Sequence, residues 1–123
     1  MNHPDASASY MASVVTLYLQ MPDTPMRVSV SDQWLARHFH QDGIPLETVE
    51  TALLLGSLRR LIRPADAPHL SPIRSLAYFR PVIEEICEHP APENYREYLR
   101  IKLRQTTKAL TADDRKTTFS DDR

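Results

Sequence analysis

Ten side chains of this sequence suit phosphate, and they come in two groups. The first is Arg59, Arg60, Arg63, Arg74 and Arg80; the second is Arg96, Arg100, Lys102, Arg104 and Lys108. A guanidinium presents its donors in a planar fork that matches two phosphate oxygens at once, so arginine-rich groups suit polyanions. The charge is segregated along the chain. Residues 59–80 carry five arginines against Asp66, and residues 94–110 carry five basic side chains against Glu97. Residues 1–58 carry two basic and six acidic side chains, and residues 81–93 carry four glutamates. The net charge of -1 hides this pattern. Phosphate binding needs a local patch, not a basic total. Convergence of the two groups on one face would grip a phosphate backbone without reading bases. The same arginines could instead pair with Glu84, Glu85 and Glu88.

Aromatic side chains offer a second handle. Tyr95 and Tyr98 alternate with Arg96, Arg100, Lys102 and Arg104, an interleaving that suits stacking on single-stranded nucleic acid. At helical spacing i and i+3 they also suit packing one helix onto its neighbours.

Catalytic and metal chemistry find little support. His38 and His40 are two apart, so on a helix they face different ways and cannot share a metal. Cys87 is the one cysteine; its glutamate neighbours raise a thiol pKa, which predicts an inert, buried thiol. Glu84 and Glu85 are adjacent and diverge on a helix, so they make no acid–base pair. With Gly43 and Gly56 as the only glycines, no glycine-rich phosphate loop can form. The sequence therefore reads as non-enzymatic, without metal or cofactor.

These residues must be positioned by helices. Ten prolines cluster between segments with helical apolar spacing, and proline does not sit inside a helix. The first segment, from about Ser9 to Gln20, repeats Tyr10, Met11, Val14, Val15, Tyr18 and Leu19 on one stripe. The second starts with Ser31 as N-cap, has Trp34, Leu35, His38 and Phe39 as its buried face, and closes at Asp42-Gly43. The third runs from near Pro45 to about Ile62 and is apolar on most faces, as a central helix must be. A proline-rich loop follows from Pro64 to Pro72. The fourth spans about Ile73 to Cys87, with Pro81 marking either a kink or the first turn of a new helix. The fifth runs from about Pro92 to Leu110.

Segments two and three can be drawn as a helix-turn-helix around Asp42-Gly43-Ile44-Pro45. Glu47 and Glu50 would then face phosphates with the wrong sign, and the rest of the third segment is too apolar to stand in a groove. Core packing is the reading that fits.

The stretch from Ile44 to Cys87, with "LETVETALLLGS", a basic helix end, and "PIRSLAYFRPVIEEI", resembles the C-terminal helical domain of DnaD-type primosomal proteins and related replication proteins of phages and plasmids. In that family a basic residue and a serine precede a Tyr-x-x-x-Ile-x-x-x-Trp motif in a domain linked to DNA binding. Arg74 and Ser75 precede Tyr78, Val82 and Ile86 here, so valine replaces the isoleucine and isoleucine stands where the tryptophan would be. Pro81 is a further departure. The resemblance implies an all-α fold and DNA contact near Arg74 and Tyr78.

The expectation is an all-α, single-domain bundle of about five helices: a flexible N-terminus over residues 1–8, a helical domain over 9–110, and a disordered tail over 111–123. The expected function is a small nucleic-acid-binding accessory protein of replication or mobile-element machinery, with DNA favoured over RNA. Its site residues would be Arg59, Arg60, Arg63, Arg74, Tyr78, Arg80, Arg96, Arg100, Lys102 and Arg104. The alternative is a helical protein-interaction module or homo-oligomer. No apolar run reaches the roughly 18–20 residues of a membrane span, and a cysteine-poor chain reads as cytoplasmic.

Overall fold

The prolines and Gly43 divide the chain where the sequence places its breaks. The computed structural model describes residues 4–121, with side chains from Ala6 to Leu110. Among the described residues there are five α-helices: α1 (Pro4–Gln20), α2 (Val30–Gln41), α3 (Leu46–Leu61), α4 (Arg80–Glu88) and α5 (Tyr95–Asp121). A short 3-10 turn, Leu76–Phe79, leads into α4. No strand occurs among the described residues, and the fold is an all-α bundle.

Helix α3 lies at its centre. Thr51 to Leu58 are buried without a break, so the helix has no solvent face along its middle. α1, α4 and α5 all pack against it. Val14 and Tyr18 from α1, Ile83 and Ile86 from α4, and Leu99 and Leu103 from α5 complete the core with Phe79. Gly56 allows the closest approach: a Cβ there would lie 2.9 Å from ring carbons of Phe79, well inside van der Waals contact.

Local chemistry sets the boundaries. α1 starts at Pro4, earlier than Ser9; proline lacks an N–H, and the first helical position has no use for one. The N-cap of α2 lies two residues before the expected one. Ser29, not Ser31, is the N-cap: its hydroxyl accepts from Asp32 N–H at 3.1 Å, while the Asp32 carboxylate accepts from Ser29 N–H. This reciprocal box satisfies two otherwise unpaired amides. Gly43, at φ +75, supplies the left-handed turn that ends α2. Pro81 falls in the first turn of α4 rather than kinking a longer helix. The backbone of α5 continues past Leu110 to Asp121; the side chains of the stretch expected to be a tail, residues 111–123, lie outside the described part.

The exposed and buried faces of α2 differ from expectation. Asp32, Ala36 and Phe39 are buried, whereas Trp34 is 55% exposed and His38 is exposed. Asp32, only 1% exposed, explains the rotation. Its Oδ1 accepts from Leu76 N–H at 2.9 Å and from the Ser75 hydroxyl at 3.1 Å. A carboxylate with such donors can be buried where an unpaired one cannot. The bond draws this side of α2 inward, turns Trp34 outward, and ties α2 to the 3-10 turn. Tyr18 packs edge-on to Phe79 at 6.2 Å; burial, with the Asp32 charge behind it, pushes its phenol up to about 12.

Candidate nucleic-acid interface

Arg59, Arg60 and Arg63 extend from the last turn and C-terminal end of α3, and the structure gathers them with Tyr78 around one cleft of about 310 Å³. Arg59 makes a fork-to-fork pair with Glu85 of α4, at 2.9 and 2.7 Å. That hydrogen bond holds the Glu85 carboxyl below its usual range. Arg60 is 7% exposed and is used as a clamp. It donates to Asp23 Oδ2 at 3.2 Å, to the Ser71 carbonyl at 2.9 Å and to the Tyr78 hydroxyl at 3.3 Å. Its guanidinium also lies 5.3 Å from the centre of the Tyr78 ring. Arg63 donates to the Pro68 carbonyl at 2.6 Å. Two of the three arginines therefore hold the proline-rich loop, and the Tyr78 ring is engaged by one of them.

Arg74 and Arg80 belong to the same end of the molecule. Arg74 precedes Ser75, which Asp32 anchors, and Arg80 is the first residue of α4. Both are exposed, and neither has an ion pair among the described residues.

Two members of the second basic group are used elsewhere. Arg100 of α5 donates twice to Glu50 Oε2, at 2.9 and 2.6 Å, and once to Glu97 at 3.1 Å. Arg96 approaches Glu50 Oε1 at 3.4 Å, though its buried Nε makes no hydrogen bond. The hydrogen bond to Glu50 raises the Arg100 pKa. Glu50 and Arg60 are ten positions apart on α3, about 15 Å along its axis. Arg96 and Arg100 are therefore held away from Arg59 and Arg60, whereas Arg104 and Lys108 border a groove with Met21 and Pro22, next to the Asp23 that Arg60 binds. Five of the nine predicted cations are engaged within the fold: Arg59, Arg60, Arg63, Arg96 and Arg100. Arg74, Arg80, Lys102 and Arg104 are exposed without an ion pair among the described residues.

Compared with known protein families, with curated proteins and with solved structures, the chain matches none.

The remaining candidates fall as follows. The helix-turn-helix drawn over residues 31–62 has the right connection, but its second helix is the buried α3 and cannot enter a groove. In the motif that carries the resemblance, Tyr78 is exposed while Ile86, at the tryptophan position, is in the core. Cys87 is exposed rather than buried, because Ile83 and Ile86 take the inner face of α4. His40 lies against the Tyr10 ring at 4.9 Å. Among the described residues no three of His, Cys, Asp and Glu gather as a metal site requires, and no described helix is long and apolar enough to cross a membrane. Tyr95 and Tyr98 stack on each other at 6.0 Å, with Tyr98 facing solvent. The residue missed by sequence reasoning is Trp34. Its apolar type suggested the core, and the signal for its exposure was Asp32 in a capping box with Ser29.

Proposed function

We propose that this chain is a small, non-enzymatic nucleic-acid-binding accessory protein that holds the phosphate backbone at the end of the bundle where α3 finishes. The carrying observation is the charge imbalance there. Of five arginines there (Arg59, Arg60, Arg63, Arg74 and Arg80), two have an ion pair among the described residues, Arg59 with Glu85 and Arg60 with Asp23. Arg74 and Arg80 stand exposed without an ion pair among the described residues. Arg59, Arg60 and Arg63 are spent largely on structure and supply local positive potential; Arg74 and Arg80 make the direct phosphate contacts. Lys102 and Arg104 extend the basic surface on α5. Position Arg74–Tyr78 carries the resemblance to replication proteins, which supports DNA over RNA and a place in replication or mobile-element machinery. The cysteine-poor composition fits work in the cytoplasm.

The test is fluorescence anisotropy with labelled single- and double-stranded DNA at about 50 and 200 mM salt, where phosphate contacts show themselves. Wild-type protein binds at the lower salt and releases at the higher. The double substitution Arg74→Glu with Arg80→Glu keeps the far-ultraviolet helical signal and weakens binding by roughly tenfold or more, and the salt dependence loses about two contacts' worth of slope. Absence of binding at low salt, or unchanged binding by the double variant, overturns the proposal.

A further inference from the structure

Helix α2 presents a solvent face that the phosphate grip does not use. Val30 and Trp34 are exposed one turn apart, and Gln33, Arg37, His38 and Gln41 share that face, since α2 buries Asp32, Ala36 and Phe39 on the other. The guanidinium of Arg37 lies over the indole, 5.5 Å from its centre. Beside it is a groove of about 150 Å³, bordered by Met11, Val30, Gln33, Trp34 and Arg37. A cavity on the order of 150 Å³ can hold one benzene ring.

The charge around this face selects its occupant. Residues 24–41 contain Arg27, Arg37, His38 and His40, and a single carboxylate, Asp32. That carboxylate is buried and occupied by the amides of Ser29 and Leu76 and the Ser75 hydroxyl. The exposed carboxylates stand at the two borders of the segment: Asp23, paired with Arg60, and Asp42, at the C-cap of α2. The Asp32–Ser75 bond also brings Arg74 to the N-terminal end of α2. An exposed indole, a planar cation beside it, and amide and imidazole groups on the same face are together complementary to an unpaired, negatively charged strand.

We infer that Trp34 is a stacking platform for an unpaired base of single-stranded nucleic acid. Arg37, Arg27 and Arg74 hold the flanking phosphates. The inference rests on the nucleic-acid reading above and assigns it a strand preference. A duplex keeps its bases stacked inside and gains nothing from the indole, whereas a single strand gains the stacking contribution.

Trp34 is the only tryptophan in the chain, so its emission reports on this site alone. The experiment titrates full-length protein with an unlabelled thymidine oligonucleotide at about 50 mM salt and follows tryptophan fluorescence. In parallel, Trp34→Ala and Trp34→Phe are compared with wild type by anisotropy on single- and double-stranded DNA. The expected result is quenching on single-strand binding. Single-strand affinity falls roughly tenfold or more in Trp34→Ala and is partly restored in Trp34→Phe, while duplex affinity is unchanged. Binding with unaltered emission, and with equal affinity in Trp34→Ala, overturns this inference and leaves the phosphate grip standing. No binding to either strand form overturns both. Self-association of the wild type that Trp34→Ala abolishes, without quenching by DNA, also overturns the inference and makes the face a protein contact.

Discussion

At Glu50, in the first half of α3, two arginines from α5 close on one carboxylate. At the end of the same helix, three arginines meet two carboxylates that are more exposed, and two further arginines stand nearby without any. The Glu50 side chain is 14% exposed, against 44% for Glu85 and 58% for Asp23. The first region is an internal brace that consumes its charge. The second keeps an excess of positive charge at the surface. A basic run can thus serve either purpose, and what separates them is how deeply the matching carboxylate is buried.

That difference can be broken or sharpened by removing carboxylates in order of burial. Asp32 stands at the extreme. Asp32→Ala leaves the buried Leu76 N–H without an acceptor, removes half of the α2 capping box and releases Ser75. The expected loss is about 3 kcal/mol, measured as a shift in the urea midpoint. A loss under roughly 1 kcal/mol would show that burial does not rank these sites as claimed.

Glu50→Ala comes next. It strands Arg96 and Arg100 against the core side of α5, at an expected loss of about 1–2 kcal/mol, since the arginine side chains are partly solvated. Arg96, freed, and Arg100, left with Glu97 alone, should also raise affinity for single-stranded DNA, turning the brace into a second phosphate site. Unchanged stability would mean that the Glu50 cluster is no brace.

Glu85→Ala is the smallest. The Arg59–Glu85 pair has good geometry but both partners sit in water, where such pairs contribute little. The denaturation midpoint stays where it is, and DNA affinity rises modestly as Arg59 is released. A clear drop in stability would erase the distinction between the two ends of α3.

Much of the fold was legible in the sequence. The prolines and Asp42-Gly43 separate the helices because both act within a turn or two of chain. The buried centre of α3 was visible because apolar residues on every side leave no other place for it. Pro81 offered a kink or a new helix, and the new helix formed. The fates of the arginines were legible only as alternatives, pairing with Glu85 among them, because each depends on a partner far along the chain. Arg59 meets Glu85 across 26 positions, Arg60 meets Asp23 across 37, and Arg100 meets Glu50 across 50. Trp34 was misplaced for the same reason: the rotation of α2 is set by Asp32, whose donors on Ser75 and Leu76 lie 43 and 44 positions away.

Gly56 carries a last consequence. It lines the arginine cleft, and the distance between α3 and Phe79 is set there by the absence of a side chain. Alanine is the better helix former by about 1 kcal/mol, yet its methyl would press on the Phe79 ring and displace the turn that carries Tyr78. Helix strength and cleft shape therefore pull against each other at this one position, and the glycine gives up the first for the second.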